Sequence, residues 1–192
     1  MNVGLVVEGE FDDASYRRLL PRVRTDTIVL QVRPCGGKSR LKNKFVELLK
    51  ELQRNPAWQL DLAFVIRDSD CDPPLPIEKQ LRRVLGASGF KPKFRVEFFA
   101  TPCMLESWLL SDLAAVQKVA ARRRHGSVAP LDIQVPNSNS VEDKETFIGV
   151  LKHFGLPATP PVYADIAAIA DLGLIGDRCT YFREFARRLN LL

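Results

Sequence analysis

The sequence predicts an α/β fold: a mainly parallel sheet of about four strands flanked by helices, with a helical extension at the C-terminal end. Two observations indicate this fold. Through the first two thirds of the chain, short apolar runs rich in β-branched residues alternate with longer segments whose apolar residues recur at helical spacing. Strands and helices that alternate in this way form right-handed crossovers and a parallel sheet. The last third contains no convincing strand, so we expect helices there.

Two strands and the helices that follow them make up the first half of the predicted core. Val3–Val7 is a short apolar run, and the helix Asp12–Leu20 follows it with acidic residues in the first turn, where the helix dipole favours them. The second strand, Thr27–Val32, leads into two glycines that mark a loop. The helix Leu41–Leu52 is predicted from apolar residues spaced three and four positions apart.

The second half of the predicted core repeats this alternation. The third strand is Leu60–Ile66, and a run of prolines separates it from the helix Ile77–Leu85. After a fourth strand, Phe94–Phe99, the pair Thr101-Pro102 is typical of an N-cap and a first helical residue. We therefore predict a helix through Val119, a loop over residues 126–140, and further helices at Glu142–Phe154, Tyr163–Leu172 and Phe182–Leu189.

Length and composition predict one globular domain. A chain of 192 residues can bury one sizeable core, so we expect residues 1–192 to form a single domain, with 1–110 as the α/β core and 111–192 as a helical cap packed on it. Apolar stretches stay well below the roughly 18 residues of a membrane span, and no signal-peptide pattern precedes the first strand. The four cysteines have no zinc-ligand spacing. These features predict a cytoplasmic protein with reduced thiols.

Acidic residues follow two of the predicted strands. Glu8 ends the first strand, and Asp68 and Asp70 end the third. Because the carboxyl ends of parallel strands meet at one edge, and converging carboxylates repel each other unless a proton or cation lies between them, we predict a Mg²⁺ or Mn²⁺ site there. All three residues are predicted ligands and catalytic residues, and Glu8 can also act as a general acid/base. A capped strand-to-helix turn stays open as the alternative for Asp68 and Asp70, and a solvated strand end for Glu8. Glu10 and Asp72 are considered as outer-sphere ligands, with side chains that simply face water as the alternative.

Two further loops are expected at the same edge. Glu106, early in the helix after the fourth strand, is a predicted metal ligand, with a purely local effect on the helix dipole as the alternative. Gly36, Gly37, Lys38 and Arg40 are predicted to bind a substrate phosphate, because glycines allow close backbone approach. The spacing of a P-loop is absent.

The charge distribution favours a polyanionic substrate without proving one. The formal net charge is +5, and cations cluster in short stretches beside the predicted acidic site. Contacts between basic side chains and the phosphate backbone supply most of the non-specific affinity of a protein for nucleic acid. For any single basic cluster, however, a solvated helix face is the plainer explanation. The clusters are Arg17-Arg18 with Arg22 and Arg24, Lys38 to Lys44, Arg82-Arg83 and Arg122 to Arg124.

These acidic motifs resemble the topoisomerase–primase (TOPRIM) superfamily, whose Rossmann-like core carries a glutamate after the first strand and a DxD after a later one. The matching segments are Val6-Val7-Glu8-Gly9 and Asp68-Ser69-Asp70, and the TOPRIM-like core covers about the first 110 residues. More narrowly, the chain is similar over nearly its whole length to small bacterial proteins of domain-of-unknown-function family 4276. That similarity rests on the Val-Glu-Gly-Glu start, Gly36-Gly37, Asp68 to Asp72, Glu106 to Asp112, Tyr163, Cys179, Phe182 and Phe185.

The resemblance implies metal-dependent phosphoryl transfer on nucleic acid. In TOPRIM enzymes the residue matching Glu8 is a general acid/base or metal ligand, and those matching Asp68 and Asp70 hold Mg²⁺. The chain has no room for the domain that carries a topoisomerase tyrosine, so a nuclease is the simplest expectation. Related TOPRIM nucleases occur in antiphage defence, often beside an ATPase partner.

Two other functions are open at this point. A non-catalytic TOPRIM-like module that binds nucleic acid or a partner ATPase has the same motifs. A phosphatase of the haloacid-dehalogenase type would also place Asp68-Ser69-Asp70 after a strand, but it ranks lower because Asp72 stands where such enzymes usually carry threonine or valine. The oligomeric state is not set by the sequence, and a homodimer stays open.

Overall fold

A computed structural model describes residues 1–55, 57–69, 72–101, 105–124 and 143–191. Four parallel strands form one sheet in the order β2-β1-β3-β4. The strands are β1 (Asn2–Val7), β2 (Ile28–Pro34), β3 (Leu62–Asp68) and β4 (Arg95–Thr101). The helices are α1 (Glu10–Val23), α2 (Lys38–Arg54), α3 (Pro74–Ala87), α4 (Leu105–Leu110), α5 (Leu113–Arg124), α6 (Asp143–His153), α7 (Pro160–Ile169), α8 (Leu172–Arg178) and α9 (Thr180–Asn190). The predicted α/β class with a parallel sheet and a helical C-terminal part is confirmed.

Strand alternation divides the apolar residues between two cores. Leu5 and Phe64 point into the larger core, formed with α1 and the C-terminal helices, whereas Val6 and Val65 point into a smaller core formed with α2 and α3. Successive side chains of a strand face opposite sides of the sheet, so a sheet covered on both sides needs continuous apolar runs. That requirement explains why β1 and β3 have no polar alternation.

An aromatic cluster joins the sheet to the last helix. Phe185 of α9 is fully buried and lies 4.9 Å from Phe99 of β4 and 5.2 Å from Trp108 of α4, measured between ring centroids. Its neighbours also include Tyr16 and Phe64. Edge and tilted packing of this kind adds about 0.5–1.5 kcal/mol per aromatic pair beyond the burial itself. The C-terminal helices therefore complete the core on one face of the sheet, while the predicted division of the chain at residue 110 stays a prediction.

The single helix predicted through Val119 is wrong, because two helices occupy that stretch. Ser111 and Asp112 separate α4 from α5. The Ser111 hydroxyl donates to the Ser107 carbonyl at 2.9 Å, and Asp112 Oδ1 accepts from the Ala115 N–H at 3.1 Å. Side-chain bonds of this type compete with the backbone ladder and start a new helix.

The helix predicted over Tyr163–Leu172 is also divided. It begins earlier, at Pro160, and ends at Ile169, and α8 follows from Leu172. Asp171 caps α8 by accepting from the backbone N–H groups of Gly173 and Leu174. Its own N–H donates to Asp112 Oδ2 at 2.7 Å, so a contact distant in sequence fixes both helix boundaries. Across the described ranges, none of the helices combines the length and apolarity that crossing a bilayer requires.

Candidate functional site

The first and third strands meet through a side chain. Glu8 lies just after β1, and its Oε1 accepts a hydrogen bond of 3.0 Å from the backbone N–H of Asp68, the last residue of β3. Burial raises the pKa of Asp68 well above its usual range, and repulsion from Asp12, Glu8 and Glu106 adds to the effect. Four carboxylates from different elements therefore act on one another at the carboxyl edge of the sheet.

Asp12, in the first turn of α1, belongs to this group and was not among the predicted site residues. Its Oδ2 accepts from the N–H of Gly9 at 2.9 Å. Burial raises the pKa of Asp12 to about 7; the Gly9 hydrogen bond opposes this, and repulsion from Glu8 and Glu106 adds to it. The sequence signal for this role is a carboxylate one helical turn beyond Glu8, but an acid in a first helical turn has a common local explanation.

Glu106 enters the cluster from α4 and is held by the helices of the C-terminal part. It is 7% exposed. The Tyr163 hydroxyl of α7 donates to Glu106 Oε1 at 3.2 Å, and Lys144 Nζ of α6 lies 4.0 Å from the same oxygen. Burial first, and then the charge of Glu106, raise the pKa of Tyr163, so the hydroxyl keeps its proton. Neither Tyr163 nor Lys144 was predicted as a site residue.

The glycine loop contacts the end of β1 through its backbone. The N–H groups of Gly36 and Gly37 donate to the Glu8 carbonyl at 2.9 and 2.8 Å. Both glycines have positive φ, 77° and 115°, a conformation that side chains disfavour. A Cβ placed on Gly36 would lie 3.1 Å from Nη1 of Arg40, so the guanidinium of Arg40 packs on this loop. The side chain of Lys38, the first residue of α2, lies outside the described residues.

The remaining predicted residues are not brought into the cluster by any described contact. Asp72 is exposed, and its N–H donates to the Ser69 carbonyl at 2.9 Å in a turn. Glu10 is exposed at the start of α1. Asp70 lies outside the described residues. The outer-sphere roles of Glu10 and Asp72 and the ligand role of Asp70 therefore stay predictions.

The donor chemistry of the cluster fits a hard divalent cation. Its carboxylate oxygens are the ligands that Mg²⁺ and Mn²⁺ prefer. Burial first, and then repulsion between the acids, raise the pKa values of Asp12 and Asp68, and a bound cation would offset both effects. Among the described residues, which leave out Asp70, no three His, Cys, Asp or Glu side chains form a ready-made metal-binding group. The cluster thus matches a metal site in charge and atom type, and the predicted ligand set of Glu8, Asp68, Asp70 and Glu106 stays a prediction.

Comparison with known proteins does not assign the chain to a family. No family model matches it, and no curated protein matches it. Among solved structures, the C-terminal region of the Xanthomonas campestris pv. campestris OLD protein is similar at 15% identity over 97% of this chain and 93% of that chain, with a TM-score of 0.45. The C-terminal region of the Burkholderia pseudomallei OLD protein is similar at 15% identity over 98% and 96%, with a TM-score of 0.44. Likenesses this distant carry no functional conclusion.

Proposed function

We propose that this protein is a Mg²⁺- or Mn²⁺-dependent nuclease that hydrolyses phosphodiester bonds of nucleic acid. The observation that carries the proposal is the hydrogen bond between the Glu8 carboxylate and the Asp68 N–H, with the Asp12 and Glu106 carboxylates acting on Asp68. Burying acidic groups together lowers the stability of a fold, and acids with strongly raised pKa values occur preferentially at functional sites. The TOPRIM-like motifs of the sequence point to the same chemistry, and their occurrence in antiphage defence makes that the setting we propose.

Each carboxylate has a distinct part in the proposed site. Asp68 and Glu106 are the residues we assign to the metal. Asp12 joins them, because burial and then repulsion from Glu8 and Glu106 raise its pKa and a bound cation would offset both. Glu8 either binds the metal or moves a proton, since its Oε1 is fixed by the Asp68 N–H. A bound Mg²⁺ or Mn²⁺ supplies a Lewis acid and an activated water nucleophile.

The cations beside the site suit a phosphate backbone. The first two turns of α2 carry Arg40, Lys42 and Lys44 on exposed positions and contain no acid. Cations at a helix N-terminus oppose the helix dipole, so they do not serve the stability of α2. Burial first, and then the charge of Glu8, raise the pKa of Cys35, and the charge of Lys44 opposes them. The Cys35 N–H donates to the Val7 carbonyl. The basic turns of α2 therefore adjoin the end of β1, where we propose the scissile phosphate binds.

Cleavage of labelled single- and double-stranded nucleic acid with added Mn²⁺ tests the proposal. Wild type is compared with Asp68→Asn and Asp12→Asn, and with Glu145→Gln, an exposed acid of α6, as the control. We expect loss of at least a hundredfold in rate for the two site variants and no loss for the control. Equal cleavage by wild type and Asp68→Asn would mean that a contaminant cuts.

Binding measurements and a small phosphate ester assay, run beside the cleavage assay, separate the alternatives. Mn²⁺ binding with nucleic-acid binding but without turnover would favour a non-catalytic module, which can act beside a partner ATPase. Turnover of a small phosphate ester in preference to nucleic acid would favour a phosphatase. Either result would replace the nuclease proposal.

A further inference from the structure

Tyr163 links the acidic cluster to the C-terminal helices. It lies on α7, is 1% exposed, and directs its hydroxyl at Glu106 Oε1 at 3.2 Å. A buried phenol needs a hydrogen-bond partner, and here the partner is a carboxylate that is itself 7% exposed. A hydroxyl that donates to a buried carboxylate holds the orientation of that carboxylate.

The ring of Tyr163 is clamped from two sides. Phe11 of α1 packs against it at 4.7 Å and 64°, and Phe147 of α6 packs against it at 5.1 Å and 90°. Phe11 directly precedes Asp12, so the same ring contacts the helical turn that carries a second carboxylate of the cluster. Tyr163 is therefore fixed relative to α1 by its ring and to α4 by its hydroxyl.

We propose that Tyr163 is a positioning residue, which sets the Glu106 carboxylate relative to Asp12 so that both can bind one divalent cation. This inference rests on the proposed function. It adds a residue that never touches the substrate, because its hydroxyl ends on Glu106 within the core. The Tyr163 hydroxyl and the Lys144 ammonium both approach Oε1 of Glu106, so helices α7 and α6 hold this carboxylate from the side of the C-terminal part.

Mn²⁺ titration by calorimetry on the 192-residue chain tests the inference without relying on activity. Tyr163→Phe keeps the ring contacts and removes only the hydroxyl. Loss of a residue that orients a metal ligand typically costs 10–100-fold in metal affinity, so we expect Mn²⁺ binding about tenfold weaker than in wild type. Tyr181→Phe, a half-exposed tyrosine of α9, is the control and should bind like wild type.

A double-mutant cycle separates positioning from a general structural role. If Tyr163 acts through Glu106, adding Tyr163→Phe to Glu106→Gln should weaken Mn²⁺ binding no further. Saturating Mn²⁺ should return cleavage by Tyr163→Phe to within about twofold of wild type, with an unchanged KM for nucleic acid.

The outcomes that overturn the inference differ from those that overturn the proposed function. Wild-type affinity in Tyr163→Phe, or an equal loss in the presence and absence of Glu106→Gln, would remove the role of Tyr163 and leave the nuclease standing. A wild-type chain that neither binds Mn²⁺ nor cuts would remove the proposed function, and the role of Tyr163 with it.

Discussion

The carboxylate of Glu8 accepts a hydrogen bond of 3.0 Å from the backbone N–H of Asp68, so the acid that follows β1 is bonded to the last residue of β3. This contact gives Glu8 two separable properties. Its oxygen is an acceptor that any carbonyl-like group can replace, whereas its charge is needed only by a cation or a transferred proton. Variants can therefore divide the structural contribution of Glu8 from the chemical one.

Replacing Glu8 in two ways should separate these properties. Glu8→Ala leaves the Asp68 N–H without its acceptor, so we expect the free energy of unfolding to fall by about 1–3 kcal/mol. Glu8→Gln keeps an acceptor and removes repulsion from Asp12 and Asp68, so the free energy should stay the same or rise. Both variants should lose Mn²⁺-dependent cleavage. Urea unfolding without metal measures the first difference, and a stable but fully active Glu8→Gln would contradict a chemical role.

The raised pKa of Asp12 predicts how the free energy of unfolding changes with pH when divalent metal is absent. Its folded-state pKa, about 7, lies above its ordinary value of 3.8. The protonated group therefore contributes stability that is complete below the ordinary value and is lost as pH rises through about 7. Asp12→Asn cannot lose a proton there, so its unfolding free energy should fall less than that of wild type.

Urea unfolding in a chelator at several pH values between about 5 and 8 gives the comparison for Asp12. The difference between wild type and Asp12→Asn isolates this group from others that titrate. Added Mn²⁺ should release protons below pH 7 and reverse the loss of wild-type stability at higher pH. Parallel pH curves for the two proteins would show that Asp12 is not the group responsible.

The sequence predicted the parts of the site that have local signals. Glu8 and Asp68 stand at the ends of apolar strands, and Glu106 lies early in the helix after the next strand. Parallel topology alone brings such positions to one edge of the sheet. Asp12 was missed as a site residue because an acid in a first helical turn has a sufficient local explanation. Tyr163 entered only as part of the family resemblance, without a role, and Lys144 carries no sequence signal. The proximity of both to Glu106 depends on how α6 and α7 pack on the core.

The helix boundaries show the same limit. Apolar spacing continues from Leu105 into the residues of α5, so a sequence pattern predicts one helix. The break depends on Asp112, which accepts from Ala115 nearby and from the N–H of Asp171 far along the chain. The periodicity of apolar residues indicates which face of a helix is buried, but it carries no information about a contact with a distant segment.

The ion pair between Arg188 and Glu78 should be a major stabilising contact of β4. Within the described sheet β4 pairs only with β3, and Glu78 Oε1 accepts from the Ala100 N–H at 3.1 Å while Arg188 donates to the Phe98 carbonyl at 2.5 Å. The two side chains join at 2.8 Å and occupy the backbone groups of an edge strand.

Arg188→Met would leave the Glu78 charge buried and unpaired, so we expect a loss of about 3 kcal/mol in the free energy of unfolding. Arg187→Met is the matched control: it breaks an exposed pair with Glu184 on the same helix and should cost much less than Arg188→Met. Adding Glu78→Gln to Arg188→Met should recover part of the loss, because the amide still accepts from Ala100. Equal effects of the two arginine variants would contradict a role in closing the edge.

The packing of Phe185 should decide whether the core survives changes in the last helix. Phe185 is fully buried among aromatic rings of β3, β4, α1 and α4. Phe185→Ala creates a cavity where four elements meet, so we expect a loss of about 3–5 kcal/mol, measured by urea unfolding. Tyr181→Phe on the exposed side of α9 should change stability by less than about 0.5 kcal/mol. A small effect of Phe185→Ala would mean that α9 is dispensable for the sheet.

The basic turns of α2 predict a salt-dependent affinity for nucleic acid. Arg40→Ala and Lys44→Ala each remove one exposed cation beside the loop of Gly36. If each cation neutralises one phosphate, each variant should weaken binding for all sequences alike and reduce the slope of log affinity against log salt by about 0.9 for a duplex. Filter binding or fluorescence anisotropy at several salt concentrations, in a chelator to prevent cleavage, gives that slope.

Lys152→Ala, in the last turn of α6, removes an equivalent exposed charge and should leave the slope unchanged. A reduction as large for Lys152→Ala as for Lys44→Ala would mean that net charge, and not the α2 surface, drives binding.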